Sequence, residues 1–209
     1  MQELIVVSGM SGSGKTIALR TLEDLNFYCV DNLPIEMLAQ FVSHVSDNDY
    51  QRVSVGIDVR NSEKALKSLP ELLDSVETSQ LKVSLVFLTS DDSIILSRYS
   101  ETRRAHPLSS KKHKFSLTEA IKYERQLMEP VATAADLLID TSQLTASQLR
   151  QKIWRQVSDH SSENVSILLE SFAFKRGVPY DADFVFDARC LPNPFWVKEL
   201  REYLSLIHI

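Results

Sequence analysis

The run Gly9-Met10-Ser11-Gly12-Ser13-Gly14-Lys15-Thr16 satisfies G-x-x-x-x-G-K-[ST] at every specified position. The apolar stretch Leu4-Ile5-Val6-Val7 precedes it, and Ile17, Leu19, Leu22 and Leu25 follow at helical spacing. Strand, glycine loop and helix are the context that such a loop requires. Its glycines let the backbone bend so that successive N–H groups point inward at phosphate oxygens. The following helix adds its unpaired amides and the positive end of its dipole. At average residue usage, a chance match arises in about one chain in a hundred of this length. The expected ligand is a nucleoside triphosphate. Lys15 would reach its β and γ phosphates, and the Thr16 hydroxyl would help hold Mg²⁺.

Beyond the loop, strands and helices alternate. Tyr28 to Asp31 reads as a second strand, and Pro34 opens a helix through Met37, Leu38, Phe41, Val42 and Val45. Val53 to Val59 is the third strand, followed by a short helix over Ala65 to Leu73. Val83 to Leu88 is a fourth strand, apolar enough to be buried on both faces. A helix from Asp91 runs toward Arg104 and ends at Pro107. Ser116-Leu117-Thr118-Glu119 is a capping box for a helix expected to stop at Pro130. Asp136 to Asp140 is the fifth strand, and Thr145-Ala146-Ser147-Gln148 caps a last helix. This pattern predicts an α/β fold of the P-loop NTPase class, kinase-like, with a mainly parallel five-stranded sheet and helices on both faces. Its ligand belongs at the carboxyl ends of the strands.

That domain spans residues 1 to 160. The polar stretch Asp159 to Asn164 reads as a linker. Val165 to Phe174 and Phe184 to Asp187 read as strands of a second domain, 165–209, too short to bury a core alone. A net charge of −5 argues against a surface coated by nucleic acid. No apolar run reaches the ~20 residues that cross a bilayer, and Met1-Gln2-Glu3 lacks the basic start of a secretory signal. Cys29 and Cys190 lie in apolar segments and read as buried thiols. A cytoplasmic protein is expected. The five histidines show no metal-ligand spacing.

Three further groups bear on chemistry. Asp58 ends the third strand and is the first choice for the second metal-serving acid; Asp91 and Asp92 suit helix capping. Asp31, before Asn32 and Pro34, either orients an acceptor hydroxyl or water, or forms an Asx turn into the next helix. From Arg98 to Lys114 the chain carries Arg98, Arg103, Arg104, His106, Lys111, Lys112, His113 and Lys114 against the single acid Glu101. Arg103 and Arg104 are candidates for a lid that steadies charge on the γ-phosphate, and the lysines could instead attract RNA phosphates.

Taken with Phe27-Tyr28-Cys29-Val30-Asp31-Asn32-Leu33-Pro34, Asp58-Val59-Arg60-Asn61, Arg98-Tyr99-Ser100, Thr102-Arg103-Arg104, His106-Pro107-Leu108, Asp140-Thr141-Ser142, Glu170-Ser171-Phe172, Lys175, Gly177 and Leu191-Pro192-Asn193-Pro194, the loop resembles the RapZ/YvcJ family of bacterial P-loop proteins. The resemblance covers about residues 4 to 201. It implies that Gly9 to Thr16 is an ATP site and that Asp58, Val59, Arg60 and Asn61 contact GTP. It also implies weak ATP and GTP hydrolysis and a kinase-like fold. The implied partners are a small regulatory RNA and an endoribonuclease, in control of glucosamine-6-phosphate synthesis. Members of the family continue well past Leu191-Pro192-Asn193-Pro194. Here the match fades after about Arg201, so the expectation is an incomplete C-terminal domain, of the RNA-binding type, in a truncated or frameshifted chain.

The function expected is slow ATP and GTP hydrolysis with Mg²⁺, with Lys15, Arg103, Arg104 and Asp31 as the catalytic group. Two alternatives stay open: a small-molecule kinase, and a non-hydrolysing adapter whose RNA binding is gated by nucleotide. The residues leave the preferred nucleotide and any homo-oligomer undecided.

Overall fold

A computed structural model describes residues 2–48, 50–76, 81–102, 104–109, 115–157, 174 and 184–190. Strand β1 (Gln2–Gly9) forms the centre of the sheet, pairing in parallel with β3 (Arg52–Gly56) on one side and β4 (Leu81–Thr89) on the other. Strands β2 (Tyr28–Val30) and β5 (Leu137–Asp140) are the edges, and the order is β2-β3-β1-β4-β5. The helices are α1 (Lys15–Asp24), α2 (Leu38–Asp47), α3 (Glu63–Val76), α4 (Asp92–Thr102), α5 (Leu117–Thr133) and α6 (Ala146–Val157). This is an α/β fold in which every strand pair is parallel, as the alternation of strands and helices leads one to expect.

Why β1 lies in the middle follows from its side chains. Successive residues of a strand face opposite sides, so a strand covered on both faces must be apolar throughout. Leu4 and Val6 join one core with Leu66 and Leu69 of α3 and Met128 and Val131 of α5. Ile5 and Val7 join the other with Ala18 and Leu22 of α1 and Leu149 and Ile153 of α6. Burying each such aliphatic side chain stabilises by roughly 1.5–3 kcal/mol. These cores fix the end of β1, and therefore the start of the loop.

The element order agrees with the expectation from sequence, with differences at the ends. Strand β3 stops at Gly56 because β1 supplies ladder partners only as far as Val7 opposite it. One more bond, Ile57 N–H to the Val7 carbonyl, carries the chain toward Asp58. Helix α5 starts at the Ser116 capping box as expected but passes Pro130 and ends at Thr133. Proline removes one N–H from the ladder, yet Met128 and Val131 are fully buried and hold the last turn. Pro34 is followed by a single 3₁₀ turn, Ile35–Met37, before α2 begins.

Two corrections concern isolated segments. Phe184 to Asp187 is not a strand: Phe184, Val185 and Phe186 are exposed and pair with no strand among the described residues. Cys190 is exposed and Cys29 half-buried, so neither is the buried thiol expected. Val165 to Ala173 lies outside the described residues. By its contacts the chain divides into two compact units, Met1–Glu163 and Asn164–Ile209.

Candidate functional site

Between β1 and α1 the chain makes a loop that only glycine can form at two points. A Cβ on Gly9 would lie 2.2 Å from the Leu88 carbonyl oxygen of β4, and Gly14 holds φ at 103° as the residue before α1. Gly12 is also left-handed, with φ 87°. Inside the loop, Ser13 N–H donates to the Met10 carbonyl, and Met10 N–H donates to Leu88. Among the described residues, the N–H groups of Gly12, Gly14, Lys15 and Thr16 have no partner. Helix α1 receives no side-chain cap and has no acid in its first turn. Its N-terminus is therefore open to an anion.

Lys15 folds back over the loop, its Nζ donating to the carbonyls of Gly9 at 2.7 Å and Met10 at 3.1 Å. Burial of the ammonium pulls its pKa below the ordinary lysine value; Glu124, Asp58 and Asp31 oppose the change, and Arg60 adds to it. Thr16, beside it, is exposed. Of the loop side chains, Met10, Ser11 and Ser13 are buried. Their N–H groups are engaged as well, by Leu88, Glu124 and Met10 respectively.

Asp58 lies just past β3, buried, with Oδ1 accepting Arg60 N–H at 2.9 Å and Oδ2 3.5 Å from the Arg60 guanidinium. Asn61 donates to the Asp58 carbonyl and accepts Ile35 N–H, tying this turn to the start of the next helical segment. The Val59 side chain belongs to the core. Asp31 is exposed and accepts Asn32 N–H at 2.8 Å, with Asn32 left-handed at φ 57°. That bond runs to the adjacent residue, and the N–H two residues on, that of Leu33, donates to the Gly56 carbonyl, so no Asx turn is closed, while the Asp31 charge acts on Lys15. Arg104 is exposed and forms no hydrogen bond or ion pair with a described residue. Arg103, Lys111, Lys112, His113 and Lys114 lie outside the described residues.

Reading the residues alone missed the groups that brace the loop. Arg98 of α4 donates to the Gly12 carbonyl at 2.9 Å and to the Thr141 carbonyl at 2.7 Å. Thr141 donates to the Ser13 carbonyl at 2.9 Å. Ser142 accepts Asp91 N–H, while the Asp91 carbonyl takes the N–H groups of Ile94 and Ile95 in α4. On the opposite side Glu124 of α5 accepts both Ser11 N–H and Ser11 Oγ–H. Arg98, Thr141 and Ser142 were visible as parts of short motifs. Glu124 carried no signal, since a glutamate in an amphipathic helix reads as solvated surface.

The family model for the RapZ-like N-terminal domain matches residues 2–161. The chain belongs to the RapZ-like family. The model for the RapZ C-terminal domain matches residues 165–206, past Arg201. Among curated RapZ-like relatives, a "nucleotide-binding protein" of Chromohalobacter salexigens is 45% identical over 96% of this chain and 68% of its own length. One from Hahella chejuensis is 46% identical over 96% and 71%. A shikimate kinase from Bacteroides thetaiotaomicron superposes with a TM-score of 0.47 at 15% identity, covering 73% of this chain and 95% of its own. The RapZ-like chain carries the P-loop motif between β1 and α1. No helix among its described residues is long and apolar enough to cross a membrane.

Proposed function

We propose that this RapZ-like chain binds ATP and GTP through the loop Gly9 to Thr16 and hydrolyses them slowly with Mg²⁺. The observation that carries this reading is the set of N–H groups of Gly12, Gly14, Lys15 and Thr16, unpartnered among the described residues and gathered at the uncapped start of α1 beside the Lys15 ammonium. Backbone amides and one cation suit the oxygens of a polyphosphate. Lys15 would leave its loop carbonyls for the phosphate, gaining an anionic partner in place of two neutral ones.

Thr16 and Asp58 would hold Mg²⁺, whose chemistry when bound is to neutralise charge on the phosphate oxygens. The donor set fits: an exposed hydroxyl at the helix start and a carboxylate past the neighbouring strand are hard oxygen ligands. Asp58, Val59, Arg60 and Asn61 would border the nucleotide, with Val59 contributing only backbone. Arg103 and Arg104 would bring positive charge to the transferred phosphoryl, and Asp31 would orient the attacking water. In this reading residues 1–160 are the nucleotide domain and 165–209 belong to one of the RNA-binding type. A small regulatory RNA and an endoribonuclease are the partners proposed, on the family resemblance.

Titration calorimetry with ATP and GTP in magnesium buffer tests binding, and phosphate release from Lys15→Ala against the parent tests hydrolysis. Absence of heat with both nucleotides would overturn the reading, and equal release rates would remove the enzyme. A second reading, a small-molecule kinase, draws on the fold and on Asp31, whose charge acts on Lys15. Labelled phosphate from ATP would then appear on a metabolite rather than in solution.

A further inference from the structure

We propose that Gly56 is a positioning residue of the phosphate site: the space left by its missing side chain is where the Asp31 carboxylate lies. This deepens the hydrolytic reading and rests on it for its catalytic consequence.

Gly56 ends β3 and is buried, with a φ outside the left-handed region, so its backbone alone would accept any residue. The constraint is space. A Cβ at this position would lie 2.5 Å from Asp31 Oδ1, 2.9 Å from a Leu19 methyl and 3.4 Å from the Asn32 nitrogen. The chain leaving β2 closes over this point. Val30 is the last residue of β2 to pair with β3, opposite Val55. Asn32 then turns the chain with its left-handed φ of 57°, and Leu33 N–H donates to the Gly56 carbonyl at 2.9 Å. Asp31 Oδ1 is held in place by Asn32 N–H at 2.8 Å.

Alternation along β3 decides which side of the sheet this is. Val53, Val55, Ile57 and Val59 join the core that contains Leu66 and Leu69 of α3, so Ser54, Gly56 and Asp58 fall on the opposite face. That face belongs to α1. Leu19 is part of its core and lies one helical turn beyond Lys15, on the same side of the helix. Gly56 also pairs with Val7, two residues before the phosphate loop opens at Gly9. Asp31 follows an edge strand, and the gap at Gly56 admits its carboxylate to the row Ser54, Gly56, Asp58 beside the loop. A larger side chain would push it out. Asp31 Oδ1 and the Leu19 methyl are both side-chain ends, so alanine is accommodated by rotation of Asp31 with the strand intact.

The test is a double-mutant cycle in the full chain: Gly56→Ala, Asp31→Ala and the two together. It is read by phosphate release, by calorimetry with magnesium ATP and by urea midpoints. Gly56→Ala should slow release by about tenfold while ATP affinity is retained, a split that a general loss of structure would not produce. Asp31→Ala should slow it at least as far, and adding Gly56→Ala to that variant should cost nothing more. The urea midpoint should fall less when Gly56→Ala is made in the Asp31→Ala background, where the obstructing carboxylate is gone. An unchanged rate in folded Gly56→Ala, a loss of rate matched by lost affinity, additive losses, or an equal fall of the midpoint in both backgrounds overturns the proposal. If Gly56→Ala does not fold, the double variant should, and failure of both overturns it. A parent that binds ATP but releases no phosphate would remove the hydrolytic reading, and the midpoints would still decide whether the space belongs to Asp31.

Discussion

Arg98 and Thr141 are joined twice, guanidinium to carbonyl at 2.7 Å and guanidinium to hydroxyl at 3.1 Å, and together they hold the outer side of the phosphate loop. Arg98 also reaches the Gly12 carbonyl, and Thr141 Oγ1 donates to Ser13 and lies 3.0 Å from the Thr89 carbonyl. Carbonyls turned outward in this way leave the neighbouring amides turned inward. The brace is therefore part of what orients the cradle.

Thr141→Val keeps the shape of the side chain and removes the hydroxyl. It leaves the Ser13 carbonyl without a partner in a buried position, at a cost of about 1–3 kcal/mol. Urea denaturation should show that loss, and calorimetry should show weaker binding of both ATP and GTP. Unchanged stability would mean that water replaces the hydroxyl.

The loop glycines should differ in their tolerance of alanine. At Gly9 the new Cβ meets β4 backbone at 2.2 Å, which cannot yield without moving a central strand. At Gly14 it meets a Leu149 methyl at 2.7 Å, and at Gly12 the Tyr99 ring at 3.3 Å. Side-chain ends can shift where backbone cannot, and alanine at the left-handed φ of Gly12 or Gly14 costs roughly 1–3 kcal/mol. Gly9→Ala should thus be the most damaging to stability and Gly12→Ala the least, in a series of urea midpoints.

How far the site could be read from the sequence depends on the range of each signal. The loop is contiguous, so its motif was complete in eight residues. Asp58 was reachable because parallel strands place their carboxyl ends together, and its position after a β-branched run was enough. Glu124 and Ser11 are 113 positions apart, and no local pattern links them. Strand character failed at Phe184 to Asp187 for a related reason: alternation and aromatic content favour a strand only where a neighbouring strand is at hand. Pro130 misled because burial of Val131 outweighed one missing hydrogen bond.

Lys15 makes folding stability depend on pH in a defined direction. Burial holds its pKa in the folded chain below the value of 10.5 expected when it is unfolded. Between the two values the unfolded chain binds more protons, so stability rises with pH there. Below the folded pKa the full penalty of the buried ammonium is present. Lys15→Met removes the titration, so the stability of the parent minus that of the variant should increase as pH climbs toward 10.5. A difference independent of pH would show that the ammonium is as well solvated as in the unfolded chain. The same variant should lose nucleotide binding at every pH.

The Ser13 hydroxyl is buried and has no hydrogen-bond partner among the described residues. The residue serves the loop through its backbone, with N–H to the Met10 carbonyl and its own carbonyl taking the Thr141 hydroxyl. An unpaired buried hydroxyl carries a desolvation penalty of about 1–3 kcal/mol with nothing to offset it. Ser13→Ala removes that group, keeps both backbone bonds and adds no volume. The variant should be as stable as the parent or more so, by up to about 1 kcal/mol once the small loss of packing is included. Nucleotide affinity should stay within about twofold, a difference of roughly 0.4 kcal/mol. A large loss of affinity with stability intact would instead mean that the hydroxyl rotates out to meet a phosphate oxygen, and that the loop changes shape when it binds.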